Sequence, residues 1–319
     1  EFVRFLNDAE RHLDSPKGAY MLMDTVGNVW MNPGMQEDRH DLFSIAASRI
    51  VYNPNAPPGE RYSVREGRMH SGLAYSNCPV NGVSWYGAMK YCNWLTLEEG
   101  FPSSQRTYRE GGTPIDWAPA TCSPDNWAEG RFTSHERRAW LELDGYRLPY
   151  SGYPLTDKRA RLYLSGFTPT NSYPNTFNEF YKAGATSGTT NMPYGFGRNS
   201  LSPADANYLD SGALSAHGTT PVGFYNGYAG DGVTTRSNQN HYGIYDLSGN
   251  VTEWLTDPGR VGSLADRACY GGSWMFALPP LQQRFYVHPH FTDGFRGFRV
   301  VTAASAEDMF EIRIPYHIC

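Results

Sequence analysis

Tyr242-Gly-Ile-Tyr-Asp-Leu-Ser-Gly-Asn-Val-Thr-Glu-Trp254 is the stretch of sequence that says most about the fold. Two carboxylates, Asp246 and Glu253, stand seven residues apart in it, and Gly249 and Asn250 between them allow the backbone to turn. Such a turn brings carboxylate and carbonyl oxygens around one point, and these are the ligands that calcium prefers. The same spacing fits a purely structural arrangement, in which Asp246 caps a turn and Glu253 pairs with a buried arginine. The spacing alone leaves both interpretations open.

The composition of the 319-residue chain favours turns and loops over long regular elements. Gly (33) and Pro (22) are numerous, and aromatic residues reach 14% while charged residues make up only 18%. The net charge is −5 and no basic run occurs, so nucleic acid is not an expected partner. No apolar stretch approaches the roughly 18 residues that a membrane span needs, so no span is predicted in this chain.

Apolar spacing predicts two helices. Ser84 is a good N-cap before an apolar i, i+3, i+4, i+7 stripe that runs from Trp85 to Leu95, and Cys92 on this stripe is expected to be a small buried hydrophobe. Residues 1–9 show a second helical pattern.

The rest of the chain is expected to be less regular. Residues 102–145 contain proline breaks and three tryptophans, which predict a long packed loop. Residues 151–207 are rich in Gly, Ser, Thr, Asn and Pro and are expected to form surface loops. Short strands are predicted within residues 242–301, and one added strand within residues 309–319.

Further motifs on both sides of the opening stretch occur in a characteristic order. They are Pro79-Val-Asn-Gly-Val-Ser-Trp85, Tyr91-Cys-Asn-Trp94, Gly145-Tyr-Arg-Leu-Pro149, Gly271-Gly-Ser-Trp274 and Gly297-Phe-Arg-Val-Val301. Together with the opening stretch they resemble the formylglycine-generating enzyme, or sulfatase-modifying factor, family. The resemblance spans residues 79–301.

The resemblance implies an α+β, C-type-lectin-like fold with little regular secondary structure, which agrees with the composition. It implies a single domain over residues 1–319, with the best-matched core at 79–301 and a C-terminal extension at 302–319. From the resemblance, and because the chain begins with Glu1 rather than Met, we expect that a leader segment has been removed and that the protein acts outside the cytoplasm.

The resemblance also implies calcium as the cofactor. The matching ligands are two side chains and two backbone carbonyls, those of Asp246, Glu253, Gly249 and Val251. A second family calcium site would use Asn207 and Tyr208. Its acidic partner would fall within residues 213–216, which contain no carboxylate.

The oxidase chemistry of the family is not expected here. It depends on copper held by two cysteines, and the matching positions carry Phe276 and Leu281. Neither side chain can bind Cu(I), which prefers thiolates, so bound copper and formylglycine generation are not predicted. Up to two disulfides stay open among Cys78, Cys122, Cys269 and Cys319.

Large apolar side chains fill the segment between the last two motifs. In lectin-fold relatives this segment, residues 275–296, forms the ligand-facing surface, and exposed aromatic groups there suit a protein or a glycan ligand. About half of the apolar residues are expected to fill the core instead. The predicted ligand-binding residues are Met275, Phe276, Phe285, Tyr286, His288, His290, Phe291 and Asp293.

The leading hypothesis is a non-oxidase family member that acts as a calcium-stabilised binding or scaffold module. A second hypothesis is a structural subunit of a larger envelope assembly, in contact with neighbouring subunits. A third is a divergent metal-dependent oxidoreductase. In it, His288 and His290, two apart on one face of a strand, would bind a metal together with Asp293.

Overall fold

The computed structural model describes residues 1–31, 40–68, 74–128, 132–150, 179–185, 193–209, 211–212, 218–258, 266–277, 281 and 284–303. The strand predicted within residues 309–319 lies outside these ranges, as do Cys319 and much of the predicted loop region 151–207.

Short helices and strands alternate along the described chain, as expected for a loop-rich α+β fold. The helices are α1 (Phe2–Arg11), α2 (Trp85–Glu98), α3 (Pro124–Ala128), α4 (Ser134–Leu141) and α5 (Glu179–Ala185). The strands are β1 (Met21–Met23), β2 (Val29–Met31), β3 (Asp41–Phe43), β4 (Ile50–Tyr52), β5 (Tyr62–Val64), β6 (Tyr108–Arg109), β7 (Ala118–Pro119), β8 (Ala229–Gly230), β9 (Val233–Thr234), β10 (Thr252–Pro258), β11 (Arg267–Tyr270), β12 (Arg284–Val287) and β13 (Arg296–Gly297). Both predicted helices and the short strands within residues 242–301 are confirmed.

Helix α2 runs through the centre of the molecule. The Ser84 hydroxyl accepts a hydrogen bond from the Gly87 amide at 3.1 Å, so the predicted N-cap is confirmed. The predicted apolar stripe is buried, and so is every other residue from position 85 to 96, so α2 is enclosed on all sides. The ammonium of Lys90 is therefore satisfied internally, by the Glu110 carboxylate at 2.5 Å and the Pro16 carbonyl at 3.0 Å.

A four-stranded sheet with the order β12-β11-β10-β13 contains the end of the stretch Tyr242–Trp254, because β10 begins at Thr252. Strand β10 pairs antiparallel with β11 and parallel with β13, so it is a central strand. A three-stranded sheet β1-β2-β3 and three strand pairs, β4-β5, β6-β7 and β8-β9, make up the other sheets of the described residues.

Two tryptophans fasten α2 to this sheet. The Trp85 indole N–H donates to the Leu255 carbonyl on β10 at 2.8 Å, and the Trp254 indole N–H on β10 donates back to the Val83 carbonyl at 2.9 Å. Both indoles are fully buried. The start of the helix and the central strand are thus held in one register.

Residues 102–145 contain more regular structure than predicted. Strands β6 and β7 and helices α3 and α4 lie in this segment, so the prediction of a continuous loop was wrong. A capping box between Thr133 and Glu136 begins α4, a local signal that the proline breaks obscured. The predicted packing is confirmed, since Trp117, Trp127 and Trp140 are all buried.

Among the helices that the structure describes, none is both long and apolar enough to cross a membrane.

The reciprocal indole bonds generate a first prediction. Trp85→Phe or Trp254→Phe removes an N–H and leaves a buried carbonyl without its donor. Each change should therefore lower the free energy of unfolding by about 1–3 kcal/mol beyond the loss of ring volume. The matched control is Trp127→Phe, because the Trp127 indole N–H is buried without a hydrogen-bond partner among the described residues. Denaturant unfolding of the three variants measures the difference, and equal losses would contradict the role assigned to the indole bonds.

Candidate functional site

The turn before β10 depends on left-handed backbone conformations. Asp246 (φ 59°), Gly249 (φ 87°) and Asn250 (φ 64°) all lie in the left-handed region, which Gly and Asn tolerate well. A Cβ atom on Gly249 would lie 2.5 Å from the carbonyl oxygen of Asn207, so the position also requires glycine for close packing. The turn delivers the chain into the central strand and brings the two carboxylates, Asp246 and Glu253, into the interior.

The Asp246 carboxylate is buried and is held by two donors. It accepts hydrogen bonds from the Asn238 side-chain amide at 2.9 Å and from the Gly223 backbone amide at 2.8 Å. Burial raises the pKa of Asp246, and these hydrogen bonds together with the charge of Arg299 oppose the rise. Asp246 therefore organises a turn, as one interpretation of the spacing proposed.

The Glu253 carboxylate is buried on the central strand, where Glu253 is paired with Tyr270 on one side and Gly297 on the other. Arg299 donates to both of its oxygens through Nε and Nη2. Burial raises the pKa of Glu253, and the Arg299 charge opposes the rise. The pairing with an arginine, which the structural interpretation required, is thus present, and the Arg299 side chain is only 14% exposed.

Burial of two carboxylates beside one guanidinium leaves a charge imbalance. Asp246 and Glu253 are close enough for the Asp246 charge to raise the pKa of Glu253. A carboxyl group with a raised pKa in the folded state adds stability below its unfolded pKa and loses that contribution as the pH rises through the folded pKa. At neutral pH the two ionised carboxylates therefore lower the stability of the fold, and a bound cation would reduce this loss.

The donor types at this site are the oxygens that calcium takes: the carboxylates of Asp246 and Glu253, and the carbonyls of Gly249 and Val251 on the turn between them. Each carboxylate oxygen also accepts a hydrogen bond from the protein, from Asn238, Gly223 or Arg299. When bound, a calcium ion would supply charge compensation and cross-link the turn to the strand. Arg299 would keep its position beside Glu253 as the second source of positive charge.

Asn207 and Tyr208 precede this site in the sequence, and their described contacts are hydrogen bonds that hold neighbouring loops together. The Asn207 carbonyl accepts from the Asn250 amide at 2.8 Å, and the Asn207 side-chain amide donates to the Gly218 carbonyl at 2.9 Å. The Tyr208 carbonyl accepts from the Ser211 hydroxyl at 2.7 Å. Residues 213–216, where the acidic partner of a second calcium site would fall, lie outside the described residues.

Phe276 and Leu281 pack as ordinary apolar side chains. Leu281 is fully buried, and its backbone amide donates to the Pro193 carbonyl at 2.7 Å. Phe276 is half-buried and stacks on Phe285 with ring centroids 4.4 Å apart and an interplanar angle of 19°. Phe295 meets Phe276 edge-on at 5.8 Å, and we call Phe276, Phe285 and Phe295 the aromatic stack.

The described cysteines are buried thiols. Cys92 is fully buried, as predicted, and burial raises its pKa. Cys78, Cys122 and Cys269 form no disulfide within the part of the chain that the structure describes, where each is buried. Any pairing with Cys319 falls outside the described residues.

The predicted ligand-binding residues all retain some accessible surface. Met275 and Phe291 are exposed, at 44% and 48%, and the other six are half-buried. The expectation that about half of the apolar residues fill the core agrees with the burial of Leu281 and with the packing of Phe285 and Tyr286 against the two hydrophobic clusters. Tyr286 points to the opposite sheet face from Phe285, as strand alternation requires, and packs with the Arg284 guanidinium over its ring.

Three histidines come together beside Phe291. The ring centroids of His288 and His290 are 4.1 Å apart, and that of His40 lies 6.0 Å from His290. We call these three residues the histidine cluster. Sequence reasoning missed His40, because nothing in the local sequence links the residue before β3 to a loop near the end of the chain.

Asp293 has a partner other than the histidines. Its carboxylate is bound by the Arg296 guanidinium, and its carbonyl accepts from the Gly82 amide at 3.0 Å. In the described part of the chain, no three side chains of the His, Cys, Asp or Glu type are arranged to hold a metal ion.

The fold, the motif order and the turn before β10 define a sulfatase-modifying-factor-like domain. The family model described as the sulfatase-modifying factor enzyme 1-like domain matches residues 49–304. The chain belongs to this family.

The chain is also similar to three solved structures at low sequence identity. The chain is similar to CarF (20% identity, TM-score 0.45, covering 81% of this chain and 74% of that chain). It is also similar to Treponema denticola variable protein 1 (21%, 0.44, 88% and 93%) and to PvdO from Pseudomonas aeruginosa (15%, 0.41, 92% and 76%). A comparison with curated protein sequences gave no match.

The buried ion pair generates a second prediction. Arg299→Met leaves Glu253 buried without its partner, and in the presence of a chelator it should lower the free energy of unfolding by about 3–5 kcal/mol. Adding Glu253→Gln to this variant should restore part of the loss.

The control for this prediction is Arg138→Met at the exposed ion pair with Glu142, where stability should hardly change. Denaturant unfolding checks all of these variants. A loss for Arg299→Met no larger than the control would show that the buried pair does not hold the turn.

Proposed function

We propose that this chain is a non-oxidase member of its family and acts outside the cytoplasm as a calcium-stabilised binding module for a protein ligand. The observation that carries the proposal is the packing around the two positions that, by resemblance, would hold copper. Phe276 and Leu281 serve there as apolar packing groups, and the surface beside them is aromatic and accessible.

Thiolate chemistry has little support elsewhere near this surface. Cys269 on β11 is fully buried, and burial raises its pKa to about 12. Its thiol is therefore protonated at neutral pH, whereas metal binding and nucleophilic attack both require the thiolate. Cys269 forms no disulfide among the described residues.

The chemistry of the surface favours a protein over a glycan. Met275 and Phe291 are large apolar groups with nearly half of their surface exposed, and Phe276 of the aromatic stack follows Met275 in the sequence. Aromatic and methionine side chains are enriched at protein interfaces. Sugar hydroxyls need free polar partners, whereas the Asp293 carboxylate and the Arg296 guanidinium already bind each other.

Calcium in this proposal acts on stability rather than on chemistry. The buried carboxylates of Asp246 and Glu253 carry two negative charges, and Arg299 beside them supplies one positive charge. A hard cation that prefers oxygen ligands would balance the remaining negative charge. The location outside the cytoplasm rests on the family resemblance.

The calcium proposal generates a third prediction. Calcium should raise the melting temperature of the wild-type protein relative to chelator, by linkage, with about 2.7 kcal/mol of added stability at 100 times Kd. Asp246→Asn keeps the volume but removes the charge, so the calcium-dependent increment should disappear. Asp205→Asn is the control, because Asp205 is a buried carboxylate bound elsewhere by Arg198 and Arg236. The same increment in wild type and Asp246→Asn would exclude this calcium site.

The binding role generates a fourth prediction. A displayed library of random peptides should enrich binders on the wild-type protein, and Phe291→Ser should abolish their binding. Ile115→Ser is the matched control, because Ile115 is also 48% exposed and lies elsewhere, so binding should persist.

Three outcomes would overturn this proposal. Failure to enrich any peptide that depends on Phe291 would remove the binding role. A Phe291-dependent signal on a glycan array without peptide binding would replace the protein ligand with a glycan. Conversion of a cysteine-containing sulfatase-motif peptide to formylglycine would refute the non-oxidase assignment.

A further inference from the structure

Two residues of the histidine cluster, His288 and His290, lie in the same loop as the exposed Phe291. Residues 288–293, which we call the histidine loop, connect β12 to the approach of β13 and carry two of the three histidines. The exposed Phe291 ring lies 5.0 Å from the His290 ring and 6.4 Å from the His288 ring. The two imidazoles are therefore packing partners of Phe291, an exposed residue of the proposed binding surface.

Contacts to the protein body close this loop. The Trp85 amide at the start of α2 donates to the Pro289 carbonyl at 3.0 Å, and the Gly82 amide donates to the Asp293 carbonyl at 3.0 Å. Within the loop, the Phe291 amide donates to the His288 carbonyl at 3.2 Å. The ends of the loop are thus tethered, while the segment that carries Phe291 depends on how well the histidines pack.

The buried ring nitrogens of the loop suit neutral imidazole only. The Nδ1 atoms of His288 and His290 are both buried and have no hydrogen-bond partner among the described residues. A neutral imidazole carries a proton on one nitrogen, but the protonated form donates from both. Proton uptake would therefore leave a buried N–H donor without an acceptor in each ring, which costs the full desolvation of that group.

Charges around the cluster act in the same direction. The groups that face His288 are His290 on the loop, His40 before β3, and Asp266 and Arg267 at the start of β11. Tyr86 of α2 packs against His40 and carries no charge at neutral pH. Arg267 is a buried cation, so a proton on His288 would be repelled by its charge and attracted by the Asp266 carboxylate. Burial lowers the pKa of His288, and His290, His40 and Arg267 add to this effect while Asp266 opposes it.

We propose that the histidine loop is an acid-operated switch, closed at neutral pH and opened by protonation of His288, which lies against His290, at mildly acidic pH. The closed loop binds fewer protons than the open one. Its stability is therefore complete above the pKa of a solvated histidine, about 6.5, and is lost as the pH falls below that value. Opening displaces Phe291, so ligand would be released in acid, and this consequence rests on the proposed binding function.

The test measures loop opening in the protein alone, by hydrogen–deuterium exchange and mass spectrometry at about pH 7.5 and about pH 5.5, with rates corrected for intrinsic exchange. Protection of peptides that cover residues 288–293 should fall roughly tenfold in acid, because pH 5.5 lies about one unit below the pKa of a solvated histidine and one proton then favours the open loop by about that factor. The double variant His288→Asn/His290→Asn should show no acid-dependent change. His241→Asn, at an exposed histidine elsewhere, should behave as wild type.

Two results would overturn the switch: unchanged protection of the wild-type loop in acid, or an equal acid-dependent loss in the double variant. Should the double variant fail to fold, the histidine ring protons of wild type, followed by NMR, decide the question. The ring-proton signals of the loop histidines must then shift over the same pH range in which the loop loses its exchange protection. Because no ligand is used, the switch can fail while peptide binding holds, and binding can fail while the switch holds.

Discussion

The reciprocal indole bonds between Trp85 and Trp254 are the constraint on which the rest of the structure depends. Each N–H satisfies a buried carbonyl of the opposite element, so the start of α2 and the central strand β10 cannot shift independently. Glu253 precedes Trp254 on that strand and inherits its position. The histidine loop is attached to the same place through the Trp85 amide. The carboxylate site and the proposed binding surface are thus both attached to the contact between the start of α2 and strand β10.

Much of this region is written in local sequence. Ser84 before an apolar run predicts the start of α2, and Gly249 and Asn250 predict a turn because few other residues tolerate left-handed backbone. The resemblance to the family then orders these pieces, and the family match over residues 49–304 confirms it. Local signals succeed here because capping and turn formation involve residues within a few positions of one another.

Partners that come from distant parts of the chain could not be predicted. Arg299 binds Glu253 across 46 residues, and His40 joins the histidines of a loop near the end of the chain. Neither arginine nor histidine carries a local signal that names its partner. The burial of every side of α2 was missed for a related reason, since Lys90 looks like a solvent-facing residue until Glu110 is brought to it by the fold. Tertiary packing decides such positions, and sequence spacing does not record it.

We propose that the fold combines a stabilising calcium site with a contact surface at the positions that, by resemblance, would hold copper. The two features are chemically separable, because Asp246 and Glu253 offer hard carboxylate oxygens while Phe276 and Leu281 offer only hydrocarbon. The most direct measurement is the metal content, in moles per chain, of protein purified without added metal, determined by elemental mass spectrometry. We predict about one calcium per chain and no copper. Stoichiometric copper would contradict the proposal that this chain is a non-oxidase member of its family.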